Sequence, residues 1–248
     1  MTASADYLDG KSFNTQLSAL AKSTGRHKAL VFVHGYNNRF DESVYRLAQI
    51  VHDSKAQVIP ILFSWPSKGL IQLSAYKDDV DNADGSLDAL EQLLAMISRN
   101  GSVQEITLVC HSMGCGAVVA TLQAQLRGAK TASKVRNVLL VAADVDLESF
   151  RSTLTQMRAP KPRVAIFVSQ DDQALRLSKS IWGGKARLGD LNPDHEPFRT
   201  DFEREGVLVF DLSNLSGNAH SRAFEDVNSV MGMIEQRLAT GQQMVDNN

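Results

Sequence analysis

The chain has 248 residues, 43% of them hydrophobic, and a formal net charge of −2. That length fits one domain, read here as 1–248 with a core at about 12–238, and that composition is enough for a full apolar interior. The charge balance lacks the basic excess that nucleic-acid partners require, and no run reaches the ~18 apolar residues of a membrane span.

Residues 1–11 hold no apolar core and no cleavage site of an export signal, so a cytoplasmic protein is expected. The basic run Arg158, Lys161 and Arg163 reads as a solvated loop. Only two cysteines occur, Cys110 and Cys115. With no CxxC pair and no zinc spacing, they are expected to be small buried thiols.

In chain order, residues 27–33 read as a buried strand ending at His34-Gly35. Residues 43–52 have helical spacing through Val44, Leu47, Ile50 and Val51. A second strand covers 58–64 and closes on Trp65-Pro66. Residues 86–98 form an amphipathic helix with Leu87, Leu90, Leu93, Leu94 and Ile97 on one face, stopped by Asn100-Gly101. A third strand, 106–110, is followed by a helix at 114–126, ended near Gly128. A fourth strand, 138–142, precedes a helix at 147–157. Strands at 164–169 and 207–210 come next, then a final helix from about 223 to 238 and a polar tail. Strands alternating with helices, each strand nearly continuous in apolar residues, predict an α/β fold with a mostly parallel sheet of about six strands, covered on both faces. Ligand sites of such sheets lie at the carboxyl ends of the strands, so the polar residues just after each strand carry the functional information.

After the third strand comes Cys110-His111-Ser112-Met113-Gly114. A serine between strand and helix is the setting of a nucleophile elbow, whose sharp turn needs small residues two positions either side. Gly114 satisfies that; Cys110 stands where glycine is usual. The turn His34-Gly35-Tyr36 after the first strand would bring the Tyr36 N–H to the reacting carbonyl. With the Met113 N–H it would form an oxyanion hole. The serine needs a base, and the base an orienting carboxylate. His220 is the expected base. Asp172 is the expected acid, with Asp171 and Asp146 as rivals. His111 and His34 are assigned packing and bracing roles. No metal site is expected, His195 included, and no cofactor.

The strings VFVHGYNN, ILFSWPS, TLVCHSMG, VAADVD, VSQDDQAL and GNAHS, with the spaced Tyr76, Asp79, Ser86 and Leu90, resemble a poorly characterised bacterial branch of the α/β-hydrolases over roughly residues 12–237. The resemblance implies that fold and hydrolase chemistry, selects Asp172 over Asp171, and names no substrate. Only about twenty residues separate the fourth and fifth strands, so no large lid is expected there. The longer insert 173–206 carries Leu177, Ile181 and Trp182 beside basic residues, and reads as a helix packed on the sheet followed by a surface loop. The expected function is a serine esterase acting on a small-molecule, short-chain carboxylic ester. The alternatives are a lipase, thioesterase or acyltransferase, or a non-catalytic binding protein on the same fold.

Overall fold

The structure is a computed structural model that describes residues 6–70, 72–126, 134–157 and 161–225. Its sheet has six strands: β1 (Lys28–Val33), β2 (Ile59–Phe63), β3 (Glu105–His111), β4 (Val135–Val141), β5 (Arg163–Val168) and β6 (Leu208–Asp211). They lie in the order β2-β1-β3-β4-β5-β6, and every pairing is parallel. This is the parallel sheet expected from the alternation of strands and helices, and the α/β-hydrolase-like fold that the resemblance implies.

The handedness of the connections decides which helix covers which face. Parallel crossovers are right-handed, so a step to one side of the sheet puts its helix on one face and a step to the other side on the opposite face. Only β1→β2 steps one way; its helix α2 (Phe40–Ser54) packs Leu47 and Ile50 with Leu30, Phe32, Val109 and Phe167. The remaining steps run the other way. Their helices α4 (Leu87–Arg99), α5 (Gly114–Leu126) and α6 (Leu147–Gln156) cover the second face, where Leu90, Leu122 and Phe150 meet Val31, Leu108 and Leu140. Along β1 the side chains alternate between these two cores, as the pleat requires.

Other helices complete the shell. They are α1 (Gly10–Thr24), α3 (Leu73–Asp84), α7 (Gln173–Ile181), α8 (Phe198–Glu205) and α9 (Arg222–Glu225). The periodicity of the sequence had not marked α1, α3 or α8. Helix α1 buries only Leu17 and Ala21, too few to draw an apolar stripe. Its ends are nevertheless signalled: Asp9 accepts a hydrogen bond from the Ser12 N–H at 2.7 Å, and Gly25 closes it at φ 67°. Between β4 and β5 the described residues hold α6 alone. The final helix is described only as α9; its continuation to 238, the polar tail and Arg158 lie outside the described residues. Among the described residues no helix is long and apolar enough to cross a membrane.

The expectation of two free thiols is corrected. Cys110, at the end of β3, and Cys115, in the first turn of α5, form a disulfide with Cα atoms 5.0 Å apart. The Cys110 side chain faces the core that α5 covers, where the helix start brings Cys115 alongside it. Spacing alone does not announce such a pairing, because it depends on the turn between strand and helix. Buried bridges persist in oxidising compartments and are uncommon in the cytosol, so the bridge and the cytoplasmic expectation pull in opposite directions. Thiol titration of the denatured, unreduced protein should find no free thiol. Reduction should lower unfolding free energy by about 2 kcal/mol, the loop-entropy value for so short a ring. Two titratable thiols before reduction would refute the bridge.

Candidate active site

Ser112 stands at the turn between β3 and α5 with φ 51°, a left-handed conformation that costs a non-glycine residue roughly 1–2 kcal/mol. Three backbone hydrogen bonds hold it there. Its N–H donates to the Val141 carbonyl at 3.0 Å, and its carbonyl accepts from the N–H groups of Cys115 and Asp144, both at 3.1 Å. The turn also needs two glycines. A Cβ on Gly114 would lie 2.1 Å from the His34 carbonyl oxygen, and one on Gly35 would lie 2.9 Å from the Ser112 Cβ. The end of β1 therefore runs directly against the elbow. Tyr36 follows Gly35 and Met113 follows Ser112, so the two residues expected to supply oxyanion N–H groups are chain neighbours of the contact between β1 and the elbow.

His34 braces that loop. Its Nδ1 contacts the Gly35 carbonyl at 3.0 Å, which makes Nδ1 the protonated nitrogen, and its Nε2 then accepts from the Ser64 hydroxyl at 3.1 Å. The ring stacks on Trp65 at 4.9 Å, and the Trp65 indole N–H donates to the His34 carbonyl at 2.8 Å. Burial is the first cause that lowers the His34 pKa below the ordinary imidazole range.

The structure brings His220 and Asp172 together. His220 Nδ1 and Asp172 Oδ2 are 2.7 Å apart, with the carboxylate fully buried. The other oxygen of Asp172 caps α7 by accepting the Leu175 N–H at 3.1 Å. One carboxylate thus starts a helix and fixes an imidazole. The rivals are engaged elsewhere. Asp171 is paired with Arg222 through both guanidinium nitrogens, at 3.0 and 2.8 Å, and that hydrogen bonding lowers its pKa. The pair ties the loop carrying Asp172 to the loop carrying His220. Asp146 caps α6 by accepting from the Ser149 N–H at 2.8 Å.

His111 does more than pack. Its Nε2 donates to the carbonyl of His220 at 2.8 Å, and the two rings lie 4.8 Å apart. An acceptor-only carbonyl requires the neutral ring to carry its proton on Nε2. The residue beside Ser112 therefore holds the backbone of the histidine. After β4 the buried carboxylate is Asp144, not the rival acid Asp146. Asp144 is buried in an ion pair with Arg187 at 2.6 Å. The signal was present in its place directly after a strand, at the carboxyl edge of the sheet. His195 lies in a loop with its ring 6.3 Å from Phe198. Among the described residues no group of three or more His, Cys, Asp or Glu could hold a metal ion.

A six-stranded parallel sheet with a left-handed serine between strand and helix defines the α/β-hydrolase class. Residues 9–237 match the family described as alpha/beta hydrolase of unknown function (DUF900), and the chain belongs to that family. Similar solved structures include an uncharacterized protein from Bacillus cereus, with a TM-score of 0.52 and 13% identity over 95% of this chain and 64% of that one. A lipase-esterase related protein from Clostridium acetobutylicum aligns with a TM-score of 0.49 and 13% identity, covering 86% of this chain and 95% of that one. An esterase from Pyrobaculum calidifontis gives 0.47 and 11%, covering 95% of both chains. At these identities the likeness is one of fold. No curated protein matches the chain significantly.

The half-buried His111 should make stability pH-dependent. Burial first, then the neighbouring His220, push its pKa down to about 3. In the unfolded chain an imidazole titrates near ~6.5. Between those values the unfolded state binds the extra proton, so stability is complete above pH ~6.5 and falls as pH drops, by up to about 1.4 kcal/mol per unit. Urea unfolding of the wild type and of His111→Gln at pH 7, 6 and 5 should give curves that converge on acidification. Parallel curves would remove His111 as the cause.

Proposed function

We propose that the protein is a serine hydrolase that cleaves a carboxylic ester through an acyl-enzyme. The observation that carries the reading is the buried Asp172 carboxylate held 2.7 Å from His220 Nδ1, with the backbone of that histidine bound by His111, the residue beside the left-handed Ser112. In this mechanism Ser112 Oγ attacks the acyl carbon. His220 Nε2 takes the serine proton and passes it to the leaving alcohol, while Asp172 keeps the imidazole oriented and stabilises its cationic form. The N–H groups of Tyr36 and Met113 bind the oxyanion, a contribution of ~3 kcal/mol per donor. Water activated by His220 then releases the acid and restores Ser112.

A fluorophosphonate probe requires an activated serine, which a binding protein on the same fold would lack. Wild type should be labelled, and Ser112→Ala and His220→Ala should not. Each substitution should lower kcat on p-nitrophenyl acetate by about 10⁴-fold or more, since nucleophile and base act as a unit. Labelling that persists in a folded Ser112→Ala protein would sink the assignment.

A short acyl group is favoured because, among the described residues, α6 alone stands between β4 and β5, leaving little protein there to enclose a chain. Each methylene left in water forgoes ~0.8 kcal/mol. The specific rival is a lipid-like substrate laid along α7, where Leu177 is 64% and Trp182 41% exposed. On p-nitrophenyl esters, kcat/KM should peak at about two to six acyl carbons and be insensitive to Leu177→Ala. An optimum at ten or more carbons that collapses in Leu177→Ala would establish the long-chain alternative.

A further inference from the structure

Asp144, which follows β4, collects buried polar groups that the proposed chemistry does not use. Its Oδ1 accepts from the Ser178 hydroxyl at 2.5 Å and from Arg187 Nε at 2.6 Å, and its Oδ2 accepts from the Tyr76 hydroxyl at 2.7 Å. The Asp144 carbonyl accepts Arg187 Nη2 at 2.9 Å, and Trp182 Nε1 donates to the Tyr76 hydroxyl at 3.0 Å. Asp144, Arg187, Tyr76 and Ser178 are all buried. Stability does not account for such a cluster. Desolvating the two charges costs several kcal/mol each, and apolar residues of similar volume usually replace a buried pair without loss.

What the cluster does is join three parts of the site at one residue, two through its carboxylate and one through its backbone N–H. The Asp144 N–H holds the carbonyl of Ser112 at 3.1 Å. Ser178 lies on α7, the helix that begins at Asp172, so its bond to Asp144 fixes the helix whose cap orients His220. Tyr76 lies on α3 and packs its ring edge-on against Tyr36 at 5.4 Å, behind the proposed oxyanion loop. Arg187 then locks Asp144 by side chain and carbonyl together.

We propose that Asp144 is a positioning residue, which sets the mutual placement of Ser112, Asp172 and Tyr36 through these bonds. The proposal rests on the ester-hydrolase reading above. Misplacing reacting groups by about 1 Å costs ~100-fold in rate with little effect on binding. The effect of the cluster is therefore expected in kcat.

The test compares wild type, Asp144→Asn, Tyr76→Phe and the apolar pair Asp144→Leu with Arg187→Met. Thermal melting, kcat and KM on p-nitrophenyl acetate, and the low-field proton NMR signal of His220 Nδ1–H would be measured for each. The apolar pair should melt within a few degrees of wild type, lose about 100-fold in kcat and keep KM within about threefold. Asp144→Asn retains the acceptor for Ser178 and Arg187, and should recover part of the loss. The His220 proton signal should shift or broaden in the apolar pair. A folded apolar pair with wild-type kcat and an unchanged signal overturns the proposal. If that pair does not fold, wild-type kcat and signal in both Asp144→Asn and Tyr76→Phe overturn it equally. A wild type that neither turns over esters nor takes the phosphonate would instead overturn the ester-hydrolase reading. The NMR comparison would still judge Asp144 in that case.

Discussion

The structure depends on keeping one residue, Ser112, in a left-handed conformation at the tip of a strand. Such strain persists only when the surroundings over-determine it. Here they do so from four sides. Gly114 and Gly35 let the end of β1 close on the turn, and the Cys110–Cys115 bridge joins its two ends. The Val141 carbonyl and the Asp144 N–H take up the backbone groups of the serine itself. Strain held this way keeps the largely buried Ser112 at the carboxyl edge of the sheet.

Sheet topology places the remaining groups without any further device. The order reverses between β1 and β3, so the chain leaving those two strands goes to opposite faces of the sheet. The chain after β6 returns to the face of α2, where Gln49 Nε2 donates to the Phe224 carbonyl at 3.0 Å and Phe224 meets Phe32 edge-on. On its way it crosses above β3, and this crossing sets His220 beside His111. Asp172 arrives from the neighbouring strand β5. The histidine and its carboxylate, far apart in sequence, meet because consecutive strands end side by side.

The strands were legible because parallel strands buried on both faces are continuous apolar runs, and all six were placed within a few residues. The elbow was legible because a serine flanked by Gly114 followed a strand and preceded a helix. Asp172 and His220 were picked out by their places after the fifth and sixth strands, with the resemblance choosing Asp172 over Asp171, and the structure brings the two side chains together. The misses share another cause. Helices α1 and α8 bury too few side chains to create a periodic pattern, and α3 buries mainly small or polar ones, Ala75, Asp79 and Ala83 beside Tyr76; the disulfide depends on a turn, and the Asp144 cluster depends on side chains from four separate segments. Local pattern reports burial and turns; it does not report which distant polar groups meet.

The most direct test of the account is chemical. During turnover of p-nitrophenyl acetate, rapid acid quenching followed by proteolysis and mass spectrometry should find the acetyl group on the peptide carrying Ser112, at the serine itself. The adduct should be absent from Ser112→Ala. Turnover that proceeds with no acyl group on Ser112, or with the acyl group on a different residue, would contradict it.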